Sequence, residues 1–264
     1  MIHVMRTTRP ALLMAAIGLV SAAIIAYQIC LMQILSIVQW YHFASMIIAI
    51  ALLGFGASGT CIALLRLHLL ARDESLLPCV MTACGLAMAV AVSVAQSGCI
   101  RFDSYLLFLD AAHLYRLAAT CLIYFLPIFL GALAIGLAFA RHVPSIKELY
   151  CANLIGSGAG AVLAVLLMRR FAAESLPGLI ACLPLLAGMS LMRGVLMRLF
   201  GFLALCLAVV CTIHPPTLEL SEFKDLKRAL DLPGSTIVST RNSPLGVLQI
   251  VEGPALRYAP GVSL

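Results

Sequence analysis

The chain has 264 residues, of which 63% are hydrophobic and only 11% charged, with a mean hydropathy of +1.09. Soluble domains run at about half apolar and a quarter charged, so a core surrounded by water cannot hide this much apolar surface, whereas lipid can. The formal charge of +6 does not point to nucleic acid: residues 214–264 hold five basic and five acidic side chains, and the excess falls at the ends of apolar runs, where Lys and Arg set membrane orientation.

Arg6 and Arg9 precede the first apolar run, 11–38. That run exceeds the ~7–15-residue core of a secretory signal, and no small-residue cleavage site leads into a polar mature chain, so it is expected to remain as a first transmembrane helix. Further runs follow at 43–65, 76–98, 117–140, 149–168, 175–192 and 195–213, each near the ~20 residues that cross the hydrocarbon core. About seven crossings are expected. In the sixth, Pro177, Gly178 and Pro184 allow either a kinked span or half of a hairpin that returns to the same side. The breaks between runs are too short for a soluble domain. The longest, 101–116, mixes polar residues with Tyr105, Leu106, Leu107, Phe108 and Leu109 and is expected to lie in the membrane interface.

With the N-terminus in the cytoplasm and seven crossings, the inner side collects Arg6, Arg9, Arg66, Arg72, Arg141, Lys147, Arg193 and Arg198, against Arg101, Arg116, Arg169 and Arg170 outside. This bias favours a cytoplasmic N-terminus. Seven crossings then put the C-terminal tail outside, and six leave it inside. The chain is expected to be an integral, multi-pass protein of a bacterial inner or plasma membrane.

Beyond His214, Pro215 and Pro216 the composition changes. Residues 221–231 place Phe223, Leu226 and Leu230 on one helical face, with Ser221 available as an N-cap and Pro233-Gly234 ending the turn. Residues 235–239 and 247–251 read as strands around a turn at 243–246. The expected fold is therefore an all-α polytopic bundle over 1–213 and a short helix plus β-hairpin over 214–264. A ribbon of this size is marginal alone, and Val247, Ile250 and Val251 are expected to be exposed for want of packing partners.

The glycine-rich stretch 156–160 lacks the GxGxxG spacing, and no soluble strand precedes it. Gly156 and Gly160 are instead expected to pack helices closely, as are Gly54, Gly56 and Gly59 in the second run. Such glycines permit self-association or sliding between helices without demanding either. Tyr27, Gln28, Gln33 and Asn153 are polar at membrane depth, which makes them substrate-pathway candidates, although interhelical hydrogen bonding explains them better. Asp110, His113 and Arg116 lie at a membrane boundary and are read as anchors. Ten cysteines form no CxxC pair and mostly sit inside apolar runs, so they are read as small lipid-compatible residues rather than metal ligands or a disulfide framework. No HExxH and no GxSxG with partners is present, and no catalytic residue, metal or cofactor is expected.

Several stretches together resemble one family. Tyr27-Gln28, the glycines of 52–59, residues 125–139 and 148–163, and in the tail 221–224, Leu232-Pro233-Gly234, 243–251 and 256–264 are similar to the membrane portion of spermidine synthase-like integral membrane proteins and its juncture with an aminopropyltransferase-like domain. The resemblance implies that these residues are the N-terminal membrane region of such a protein, seen as a fragment or a truncated product. It further implies a following Rossmann-like domain that holds an aminopropyl donor and binds polyamine amines. No position here matches that domain's donor loop or acidic residues, so no catalytic residue is carried over. Arg257 and Tyr258 lie where the hairpin would approach the active-site mouth, but surface or hairpin-pairing roles suit them better. The alternative is a small-molecule transporter-like or binding bundle, with a polar cavity lined by Tyr27, Gln28 and Asn153 and a vestigial tail. In either case the expected partner is the lipid bilayer.

Overall fold

In lipid a backbone must close its hydrogen bonds within its own segment, and each apolar run does so as a helix. The computed structural model describes residues 10–40, 42–71, 75–219, 224–244 and 246–256. Among the described residues, seven helices are long and apolar enough to cross a membrane: α1 (Pro10–Val38), α2 (His42–Ala71), α3 (Leu76–Ala95), α4 (Ala111–Arg141), α5 (Ile146–Met168), α6 (Leu176–Leu191) and α7 (Val195–Ile213). The chain is a multi-pass membrane protein.

Helix ends depart from hydropathy ends. The second helix runs on from 65 to Ala71, and its backbone leaves helical geometry at Leu65 (φ −102°, ψ 16°), where the apolar run stops. Helix α4 begins at Ala111 rather than 117, because the Asp110 carboxylate accepts from the Ala112 N–H at 2.9 Å and caps it. The returning-hairpin alternative for the sixth run is corrected: α6 is one continuous helix. Pro177 sits in its first turn, where no backbone N–H bond is needed, and Pro184 removes only one bond within it.

Helices α1, α3, α4 and α6 are each more than half buried, while α2, α5 and α7 turn most of their surface outward. The inner four are joined through small residues. A Cβ added at Gly85 of α3 would stand 2.9 Å from the Ala181 carbonyl of α6, and one at Gly188 of α6 would stand 2.9 Å from the Pro78 carbonyl of α3. Gly178, which reads as a helix breaker in sequence, faces Ala208 and Thr212 of α7. Outer helix α5 lies along α1 at backbone contact: Cβ atoms at Gly156 and Gly160 would come within 2.8 Å of Gly18 Cα and 2.6 Å of Ala22 Cα. Gly54 packs on Ile128 and Phe129 of α4. Gly56 and Gly59 differ from expectation, for they are exposed and nothing lies within 4 Å of where a Cβ would be. Within this chain they pack no helix.

After α7 comes a short helix α8 (Asp225–Leu230), then β1 (Thr236–Ser243) and β2 (Gly246–Glu252), paired antiparallel. Lys224 occupies the N-cap position of α8 without a side-chain cap, so the helix is shorter than 221–231. Ser221 lies outside the described residues. Gly234 (φ +76°) turns the chain after α8, a backbone region that favours glycine. Ser243 already pairs with Gly246, so the strands run closer to the turn than 235–239 and 247–251. The ladder is irregular between Ile237 and Ser239.

Of the apolar residues expected to be exposed, Ile250 is, whereas Val247 and Val251 are half-buried; Leu248 and Val238 stand out instead, at 65% and 59% exposure.

Candidate functional site

The polar residues of α1 meet different fates. Tyr27 is fully buried, within electrostatic reach of Tyr124, Cys30 and Cys84, and its hydroxyl has no hydrogen-bond partner. Gln28 is half-buried with its Nε2 unpaired. Asn153 lies on α5, where its Oδ1 is 2.7 Å from the Ser21 hydroxyl, which is also 2.8 Å from the Ile17 carbonyl. The hydroxyl thus bridges its own helix and α5. None of the three lines the cleft between α1, α3 and α4. Arg257 and Tyr258 lie outside the described residues.

A cleft does open elsewhere, at the end of the bundle where α1, α3 and α4 meet. Its volume is about 210 Å³ counted with the part open to solvent, and its polar lining comes from Gln39, Gln96, Arg101, Thr120 and Tyr124. Gln39 is 3% exposed, and its Nε2 donates to the Phe102 carbonyl at 2.7 Å. That bond fixes the amide, so Oε1 is the atom left unpaired. Gln96 Oε1 and the Tyr124 hydroxyl are also buried, and the Gln96 amide lies within interaction reach of the Tyr124 phenol oxygen. Thr120 donates to the Arg116 carbonyl at 2.9 Å, which leaves its oxygen lone pairs free to accept. Arg101 at the mouth forms an ion pair with Glu219 of the tail.

The tail is held on the same end by two further contacts. Gln33 Nε2 donates to the Ser243 carbonyl at 2.9 Å, so this glutamine reaches the hairpin rather than another helix. Lys224 Nζ donates to the Ser36 carbonyl at 2.7 Å and to the Ile37 carbonyl. Those carbonyls belong to the last turn of α1, whose acceptors have no helical partner and favour a cation. Burial pulls the Lys224 ammonium below its ordinary range.

At this end the His113 Nδ1 accepts from the Asp103 N–H at 2.9 Å, and Trp40 meets Tyr105 edge to face with ring centroids 5.7 Å apart. Phe108 and Leu109 project from a 3-10 turn, almost wholly exposed. A loop with this aromatic and apolar fringe suits the bilayer interface.

No protein-family model matches the chain, and neither does a curated protein or a solved structure. Its chemistry is therefore read from its own atoms. Among the described residues, no group of three or more His, Cys, Asp or Glu is placed to hold a metal ion. The cleft is lined by amide and hydroxyl oxygens with one paired guanidinium, and by no carboxylate or imidazole. Such a set offers hydrogen-bond donors and acceptors together. Sequence reading missed Gln39, Gln96, Thr120 and Tyr124, because each stands toward the end of an apolar run, where a polar residue reads as merely approaching water.

Proposed function

We propose that the bundle is the membrane anchor of a spermidine synthase-like protein and that its hairpin is the first β-element of an aminopropyltransferase-like domain. The observation that carries this reading is a two-stranded sheet latched to the bundle through Gln33 and Lys224 while, among the described residues, the outer edge of each strand is unpaired. A ribbon with open edges and exposed Leu248 and Ile250 is unstable and prone to association unless further strands or a domain cover it. The covering partner in this reading is the aminopropyltransferase-like domain that the tail's sequence resembles. With seven crossings and the count of basic side chains, that domain stands on the side away from the cytoplasm.

The test is aminopropyl transfer to a diamine by membranes containing the native product. Formation of a triamine that depends on the gene is expected. Equal activity in membranes lacking the gene, or no activity in either, overturns the enzymatic reading.

A further inference from the structure

The cleft between α1, α3 and α4 holds one acceptor that the protein itself leaves open. Gln39 is 3% exposed, and its Nε2 is spent on the Phe102 carbonyl at 2.7 Å, which fixes the amide and leaves Oε1 as the atom to be satisfied. That oxygen has no partner among the described residues and belongs to the lining of the cleft. Leaving a buried amide oxygen dry is unfavourable, so folded proteins pair such an atom with another protein group or with ordered water. The neighbouring polar pair does not answer it, because the Gln96 amide and the Tyr124 hydroxyl lie within reach of each other.

Size and chemistry narrow the occupant. The enclosed part of the cleft has room for about one water-sized group, which is too little for an organic molecule. Donors and acceptors stand side by side in the lining. Arg101 at the mouth has more N–H groups than its pairing with Glu219 uses, and Thr120, whose proton goes to the Arg116 carbonyl, has an oxygen that can accept. A bare cation would meet the guanidinium, and an anion would meet the Gln39 and Thr120 oxygens. Water carries two O–H donors and two lone pairs in the volume at hand. A buried water needs about two to four polar partners, and the lining supplies them from Gln39, Gln96, Arg101, Thr120 and Tyr124.

We propose that the cleft is the site of one structural water, which donates to Gln39 Oε1 and bridges it to a hydroxyl of α4, that of Thr120 or Tyr124. So placed, the water ties the segment that follows α1 to α4, at the end of the bundle on which the tail rests and beside the Arg101–Glu219 pair. The inference stands on the bundle alone and is independent of the aminopropyltransferase reading.

The test is an experimental structure of the full chain in lipid nanodiscs, at a resolution that shows ordered waters elsewhere in the protein. One isolated peak is expected about 2.8 Å from Gln39 Oε1, within hydrogen-bond distance of Thr120 or Tyr124 as well, and it is lost in Gln39→Leu. No peak in the cleft of the unaltered chain overturns the proposal. A peak that grows when sodium in the buffer is exchanged for caesium marks a cation and overturns it too, as does elongated density from a lipid or detergent tail. A peak that stays in place in Gln39→Leu shows that Gln39 does not hold it, which is equally fatal. The unaltered chain decides the matter even if the variant fails to fold.

Discussion

Gly160→Ala is expected to lower the apparent Tm of the detergent-purified protein by at least about 4 °C, while Gly56→Ala leaves it unchanged or raises it. Alanine is the better helix former by about 1 kcal/mol, so on propensity alone both substitutions stabilise. They part on packing. At Gly160 the new Cβ falls within 2.6 Å of Ala22 Cα and 2.7 Å of its carbonyl carbon. These are backbone atoms of an inner helix, and they cannot rotate aside as the tip of a side chain does.

Separating α5 from α1 enough to admit the methyl also strains the Ser21–Asn153 contact and the parallel contact at Gly156, whose own Cβ would meet Gly18. A net loss of about 2 kcal/mol or more follows from such overpacking, and a chain of this size shifts about 2–4 °C for each kcal/mol. At Gly56 there is no atom within 4 Å to meet. Equal Tm values for Gly160→Ala and the unaltered chain would contradict the backbone contact between α1 and α5. A marked loss on Gly56→Ala would reveal a partner on the outward face of α2, such as a second copy of the chain.

The second large effect concerns the tail. Replacing Lys224 by Met is expected to raise the rate of limited proteolysis within 232–252 about tenfold, with the Tm of the bundle unchanged, and adding Gln33→Leu raises it further. Hydrogen bonds to charged groups contribute about 1.5–3 kcal/mol, and half-exposure keeps this one at the low end. A loss of about 1.4 kcal/mol makes the undocked form ten times more populated, and cleavage follows that population when docking is fast. The Ser36 and Ile37 carbonyls, left without their donor, return to water at the membrane surface. Unchanged cleavage in the double variant would mean that the Arg101–Glu219 pair or side-chain packing holds the tail instead.

Much of the fold is legible in the sequence because lipid imposes one rule on every span: a run of about 20 apolar residues must be a helix. Element boundaries are less legible, because hydropathy marks where lipid ends and not where hydrogen bonding ends. Asp110 starts α4 in the polar region, and α2 carries Arg66 and His68 beyond its apolar run. The prolines of α6 mislead for a related reason. Pro177 suggests a break, yet a first-turn proline costs a helix nothing.

Sites are the least legible. Gln33, buried in α1, looks like a bond between helices and reaches Ser243, 210 residues away, only because the tail folds back over that end. Gln39 follows α1, Gln96 caps α3 and Tyr124 lies on α4, and no spacing in the chain relates them. Only the folded bundle brings them to one opening. Tyr27, singled out as polar at membrane depth, takes no part in lining it.

The central claim, that the bundle anchors an aminopropyltransferase-like domain built onto the hairpin, is tested most directly by the size of the native polypeptide. Membranes of the source cell would be probed by immunoblot with an antibody against residues 224–241. A band well above 28.1 kDa that carries this epitope is the predicted result. A single band near 28.1 kDa would contradict the claim and leave the bundle itself as the functional unit.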